Sequence, residues 1–85
     1  MKKQWSDEAW NDYLYWQSQD KKTLRKINEL IKDIERNGAL SGTGHPEPLK
    51  YRPGYSRHID KKNRLVYDIK DSILLIASCR DHYED

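Results

Sequence analysis

The chain has no phenylalanine, and Cys79 is its only cysteine in 85 residues. A lone cysteine excludes an internal disulfide, and it excludes the paired spacing of zinc and redox motifs. Long apolar runs are also missing. The longest aliphatic stretch, Ile73 to Ala77, is far too short to span a bilayer. The basic start, MKKQW, leads into no apolar segment, so it does not read as a secretory signal. A cytoplasmic protein with no membrane association is the expectation. Hydrophobic residues make up only 35% of the chain. One domain, 1–85, with a small core follows, and domains of that size are marginally stable. Charged residues are another 35%, a level also found in disordered chains, but periodic apolar segments argue against disorder here.

What is present is aromatic and locally basic. Three Trp and six Tyr supply the large apolar groups, each with a polar handle that suits a surface or an interface. Net charge is only +2, yet residues 44–64 hold six Lys/Arg against two Asp/Glu. Residues 65–85 reverse this, with two Lys/Arg and five Asp/Glu. A basic patch on a nearly neutral domain suits an anionic ligand such as RNA phosphate.

The pattern of elements is a short strand, two helices, then about four strands. MKKQW reads as a short strand. Ser6 suits a helix N-cap, with Asp7 and Glu8 at the positive end of the helix dipole. Two stripes follow at helical spacing: Trp10, Tyr13, Leu14 and Gln17, and Ala9, Tyr13 and Trp16. An aromatic stripe of this kind predicts core packing. Asp20 can cap a second helix whose Leu24, Ile27, Ile31 and Ile34 share a face, widened by Leu30. Asn37-Gly38 should end it. Leu49 to Tyr51 reads as the opening of a strand and Pro53-Gly54 as a turn. Tyr55–Asp60 alternates, DKKN reads as a turn, and Arg64–Lys70 puts Leu65, Tyr67 and Ile69 on one face. Ser72–Arg80 is apolar on both faces and suits a central strand. Helices segregated from hairpin-linked strands predict an α+β fold, with the helical hairpin on one side of an antiparallel sheet.

Several residues could carry chemistry. Glu47 lies between Pro46 and Pro48, so HPEP should be stiff and extended. A carboxylate on a preset backbone suits a general base, although a surface turn would look the same. Arg57 and Arg64 flank the DKKN turn, and a hairpin there would let both converge on one anion. His82 and Tyr83 follow the most apolar strand, and histidine suits proton donation near neutrality. A base, arginines and an acid are the parts needed to cleave RNA without metal or other cofactor. Glu47 would take the 2′-OH proton, Arg64 and Arg57 would hold the phosphorane charge, and His82 would protonate the 5′-oxygen. A carboxylate is a weak base at neutral pH, so the RNA would have to be held in line by something else.

These residues occur in a sequence that resembles the YoeB (Txe) toxins, within the RelE-like group of bacterial toxin–antitoxin systems. AWNDYLYWQSQDKKTLRKINELIKDI is similar to that family's helical hairpin, and GHPEPLK, SRH, NRLVYDI and DHY follow in its order. The resemblance implies a RelE-like fold and an mRNA endonuclease that cuts message in the A site of the 70S ribosome. It implies a YefM-like antitoxin, operator DNA contacted only through that antitoxin, and a homodimer as a further assembly. By position, it implies Glu47 as base, Arg64 as transition-state arginine, His82 as acid and Tyr83 as the aromatic beside it. Lys50 and Arg57 match basic positions that contact phosphate, and His58 falls where the second such contact is expected. Three departures stand out. His45 replaces a lysine, YSRH replaces Trp-Ser-Arg-Arg, and Glu84 and Asp85 extend past the usual terminal tyrosine. The alternative reading is a non-catalytic module of the same fold that binds RNA, ribosome or antitoxin.

Overall fold

The computed structural model describes residues 1–81. Its elements are β1 (Lys2–Trp5), α1 (Asp7–Gln19), α2 (Lys21–Asn37), β2 (Glu47–Pro48), β3 (Tyr55–His58), β4 (Arg64–Lys70) and β5 (Ile73–Ser78). Capping explains the helix boundaries. The Ser6 hydroxyl accepts from the Ala9 amide at 3.0 Å and donates to the Ala77 carbonyl at 2.8 Å. One side chain thus starts α1 and ties it to β5. Asp20 sits in extended backbone between the helices, and its carboxylate accepts from the Lys22 and Thr23 amides. Gly38, at φ +90°, ends α2 in a conformation that glycine adopts without a Cβ clash.

The sheet order is β1-β5-β4-β3-β2. Four strands are antiparallel neighbours, as expected, but β1 pairs in parallel with β5. The sheet is therefore mixed. That pairing joins the two ends of the domain, so hairpin signals between adjacent segments could not reveal it. The β2 strand is also displaced from expectation. It is Glu47–Pro48, not Leu49 to Tyr51, and Leu49 instead buries its side chain beneath the loop to β3.

The main core lies between the helices and one sheet face. Ile27, Leu30, Ile31 and Ile34 of α2 meet Leu65, Tyr67, Leu74 and Ile76 of the sheet. On α1 only Ala9 and Trp16 are buried, whereas Trp10 and Leu14 are exposed. Of the two sequence stripes, the one carrying Trp16 faces the sheet. The Trp16 indole N–H donates to the Cys79 carbonyl at 2.8 Å, and the Cys79 amide donates to Asp12 Oδ2 at 3.0 Å. Burial pushes the Cys79 thiol up to about 12, so this cysteine is a packed, un-ionised group.

Gly44 is closely packed on the route to Glu47. Its φ is +84°, and a Cβ there would lie 2.9 Å from Leu30 Cδ2 and 3.2 Å from the His58 carbonyl oxygen. Gly44→Ala is expected to destabilise the fold by about 1–2 kcal/mol. Urea unfolding would measure it, and an unchanged midpoint would contradict the assignment.

Candidate active site

Among the described residues no helix covers the second face of the sheet, and side chains from three strands meet there. Directly opposed residues in a ladder share a face. Glu47 of β2 opposes Ser56 of β3, which opposes Val66 of β4, and His58 opposes Arg64. Glu47, His58 and Arg64 therefore project from one face on three adjacent strands, with about 5 Å between neighbouring strands. Leu65 and Tyr67 alternate to the helix-covered face, and in the row itself Ser56 and Val66 are buried between Glu47 and the His58–Arg64 pair.

His45 completes the group. Its ring meets the His58 ring at 5.5 Å between centroids in an edge-to-face arrangement. Its backbone is left-handed, at φ +51°, an uncommon state for a non-glycine residue, so the extended backbone expected for HPEP does not include His45. The His58 imidazole is held below its ordinary 6.5 by burial first, then by Arg64 and His45, with Glu47 acting in the opposite direction. Arg64 is half-buried and starts β4. Among the described residues its guanidinium makes one long hydrogen bond, 3.4 Å to the Asp60 carbonyl. The Asp60 carboxylate in turn shapes the DKKN turn by accepting from the Lys62 and Asn63 amides.

Arg57 does not join this row. It opposes Leu65, points to the core and is fully buried. An arginine has five N–H donors, and all five are occupied. Nε donates to the Tyr67 hydroxyl, Nη1 to Asp33 and the Thr43 carbonyl, and Nη2 to the carbonyls of Gly38 and Ser41. The expected convergence of Arg57 and Arg64 on one anion is therefore corrected. The two lie on opposite faces of adjacent strands, and Arg57 has no donor left for phosphate. Nothing in the local sequence separates a buried arginine from a ligand-binding one, because its partners come from α2, from β4 and from a loop of no regular pattern.

Lys50 is exposed, three positions beyond Glu47. His82 and Tyr83 lie outside the described residues. The chain leading to them is fixed: the Asp81 carbonyl accepts from the Arg64 amide at 3.3 Å, and the Asp81 amide donates to Asn63 Oδ1.

Two helices on one face of a five-stranded sheet, with a Glu-His-Arg row on the other, define an α+β toxin of the YoeB/RelE-like kind. Sequence comparison then gives the family. The profile of the YoeB-like toxin of bacterial type II toxin-antitoxin systems matches residues 5–83, and the chain belongs to that family. It is 54% identical to Toxin YoeB of Escherichia coli (strain K12) over 85 residues, spanning 98% of this chain and 100% of that one. It is 51% identical to Toxin YoeB of Synechocystis sp. over 86 residues, spanning 99% of each chain. The toxin chain in the heterotetrameric YoeB-YefM complex of Staphylococcus aureus superposes with a TM-score of 0.91 at 49% identity, covering 98% of both chains. A YoeB/ParE toxin from Agrobacterium tumefaciens superposes with a TM-score of 0.92 at 39% identity, covering 98% of this chain and 100% of that one.

Proposed function

We propose that this toxin is a ribosome-dependent mRNA endoribonuclease that cuts message in the ribosomal A site and so stops translation. The observation that carries the reading is the row of Glu47, His58 and Arg64 on the helix-free sheet face. Glu47 takes the ribose 2′-OH proton, and the 2′-oxygen attacks phosphorus. Arg64 stabilises the extra negative charge of the five-coordinate phosphorus. His82 gives a proton to the departing 5′-oxygen, leaving a 2′,3′-cyclic phosphate and a 5′-hydroxyl. Tyr83 orients the scissile phosphate or its neighbouring base. Lys50 and His58 contact flanking phosphates, and no cofactor takes part. Glu47 is exposed and His58 and Arg64 are only half-buried, so the ribosome supplies the in-line geometry of the RNA.

The test is purified protein added to translating 70S ribosomes carrying a defined message, with ends mapped by primer extension. Cleavage confined to A-site codons is the expected result. Intact message would rule out the activity, and tight ribosome binding without cleavage would favour the non-catalytic module.

The same reading extends to partners. The relatives of known structure include a YoeB-YefM complex and a YoeB dimer, both from Staphylococcus aureus. A YefM-like antitoxin and a homodimer are proposed for this chain, with operator DNA bound only through the antitoxin. No helix among the described residues is long and apolar enough to cross a membrane. Action in the cytoplasm, where ribosomes are, belongs to the same proposal.

His58 gives this toxin a pH signature. Burial first, then the facing Arg64 and His45, hold its imidazole below 6.5 against the opposing pull of Glu47. Its phosphate contact is therefore present on the acid side and lost as pH rises through a value below 6.5. His58→Arg is expected to raise cleavage about tenfold at pH 7.5, the order of one charge-assisted hydrogen bond, and the advantage should shrink as pH falls through the His58 transition. Taking the ratio of variant to wild type removes the titration of other groups. A ratio that does not change with pH would refute the contact.

A further inference from the structure

We propose that Arg57 is a positioning residue that sets where Glu47 stands, by strapping down the loop that delivers it. This rests on the ribonuclease reading above. The segment 38–46 has no regular structure, yet it leads directly into β2 and Glu47. A loop of this kind would ordinarily be mobile at its tip. Here its inward carbonyls are held one after another. Arg57 takes the carbonyls of Gly38, Ser41 and Thr43, and the Tyr67 hydroxyl, itself receiving the Arg57 Nε proton, donates to the Ala39 carbonyl. Asp33 closes the strap from α2. It pairs with Arg57, accepts from the Thr43 amide at 3.0 Å and is oriented by the Asn37 amide at 2.8 Å.

The strap connects to the site without a gap. Gly42 packs against Asp33 and Arg57 so closely that a Cβ would overlap the carboxylate. Gly44 then places its carbonyl 2.7 Å from the His58 amide. Three residues later Glu47 opposes Ser56, the residue next to Arg57 on β3. One guanidinium on β3 thus fixes the loop on the core side, while the same strand carries His58 on the RNA side. Two prolines make HPEP stiff, but stiffness aims a carboxylate only if the base of the rod is clamped. Lysine at 57 would keep the charge but has three donors on one atom, and it cannot span these acceptors.

The experiment compares full-length wild type, Asp33→Asn and Arg57→Lys in the ribosome cleavage assay and in amide hydrogen exchange. Both variants are expected to show faster exchange at 39–47 with β4 and β5 protection retained. They are expected to lose tenfold or more in kcat while KM for ribosomes stays within about twofold. Wild-type kcat in a variant with a loosened loop would overturn the proposal, as would a loss confined to KM or exchange at 39–47 that does not change. Full activity in Arg57→Lys would show that only the charge matters. If Arg57→Lys does not fold, Asp33→Asn gives the same readouts, since it keeps the arginine but removes the charge that pairs with it and holds the Thr43 amide. Wild-type protein that leaves the message intact would remove the ribonuclease reading itself, a result distinct from any behaviour of the variants.

Discussion

Arg64→Ala is expected to lower cleavage of ribosome-bound message by about 10²–10³-fold in kcat, with ribosome affinity little changed. The size follows from where the charge develops. In the ground state the phosphodiester carries one negative charge, and in the five-coordinate state it carries more. A cation fixed before the reaction binds the second state better than the first, and only that difference accelerates the step. The backbone that carries the Arg64 guanidinium is anchored. Arg64 begins β4, its amide donates to Asp81, and its ladder partner is His58. Its guanidinium makes only the long bond to Asp60 among the described residues, so its planar fork can engage two phosphoryl oxygens. Arg64→Lys should recover only part of the loss, because an ammonium restores charge without the fork. Single-turnover cleavage with saturating toxin separates this from binding. A loss that appears wholly in KM would make Arg64 a docking residue.

Arg64 also marks how far the sequence could be read. Both helix caps, the stop at Gly38 and the inward face of α2 were legible, because each depends on residues within one or two turns. The alternation of Arg64–Lys70 and the DKKN turn were legible for the same reason. The parallel pairing of β1 with β5 was not, since it depends on contacts across the whole chain. Which α1 stripe would be buried was equally hidden, because Ala9 and Trp16 are chosen by Cys79 and the sheet. At the site, Glu47 and Arg64 are placed by local stiffness and by a strand start, and they share a face. Arg57 was misread because alternation gives a face but not its partner. The residues that use up its donors, from Asp33 to Tyr67, are far apart in sequence. His45 was visible only as a departure from the family pattern, and its pairing with His58 required the fold.

Glu47→Ala is expected to cost about 10²–10⁴-fold in cleavage, the range for loss of a positioned general base. The more informative variant is Glu47→Asp. It keeps a carboxylate and removes one methylene, which withdraws the oxygens by roughly 1.5 Å, one carbon–carbon bond. In a flexible loop the backbone could move to compensate. Here Pro46 and Pro48 restrict it on both sides, and the ladder with Ser56 fixes the register. The carboxylate should therefore fall short of the 2′-hydroxyl, and a misplacement of about 1 Å can cost 10²-fold. Glu47→Asp is thus expected to retain less than a tenth of wild-type activity. Near-normal activity would mean that the segment adapts and that the prolines do not aim the base. Combining Glu47→Asp with Asp33→Asn separates the two ideas. If the strap clamps the rod, loosening it should let the shorter carboxylate recover reach, so the double variant should lose less than the product of the single losses. Strictly multiplicative losses would place Glu47 and the Arg57 strap on independent footings.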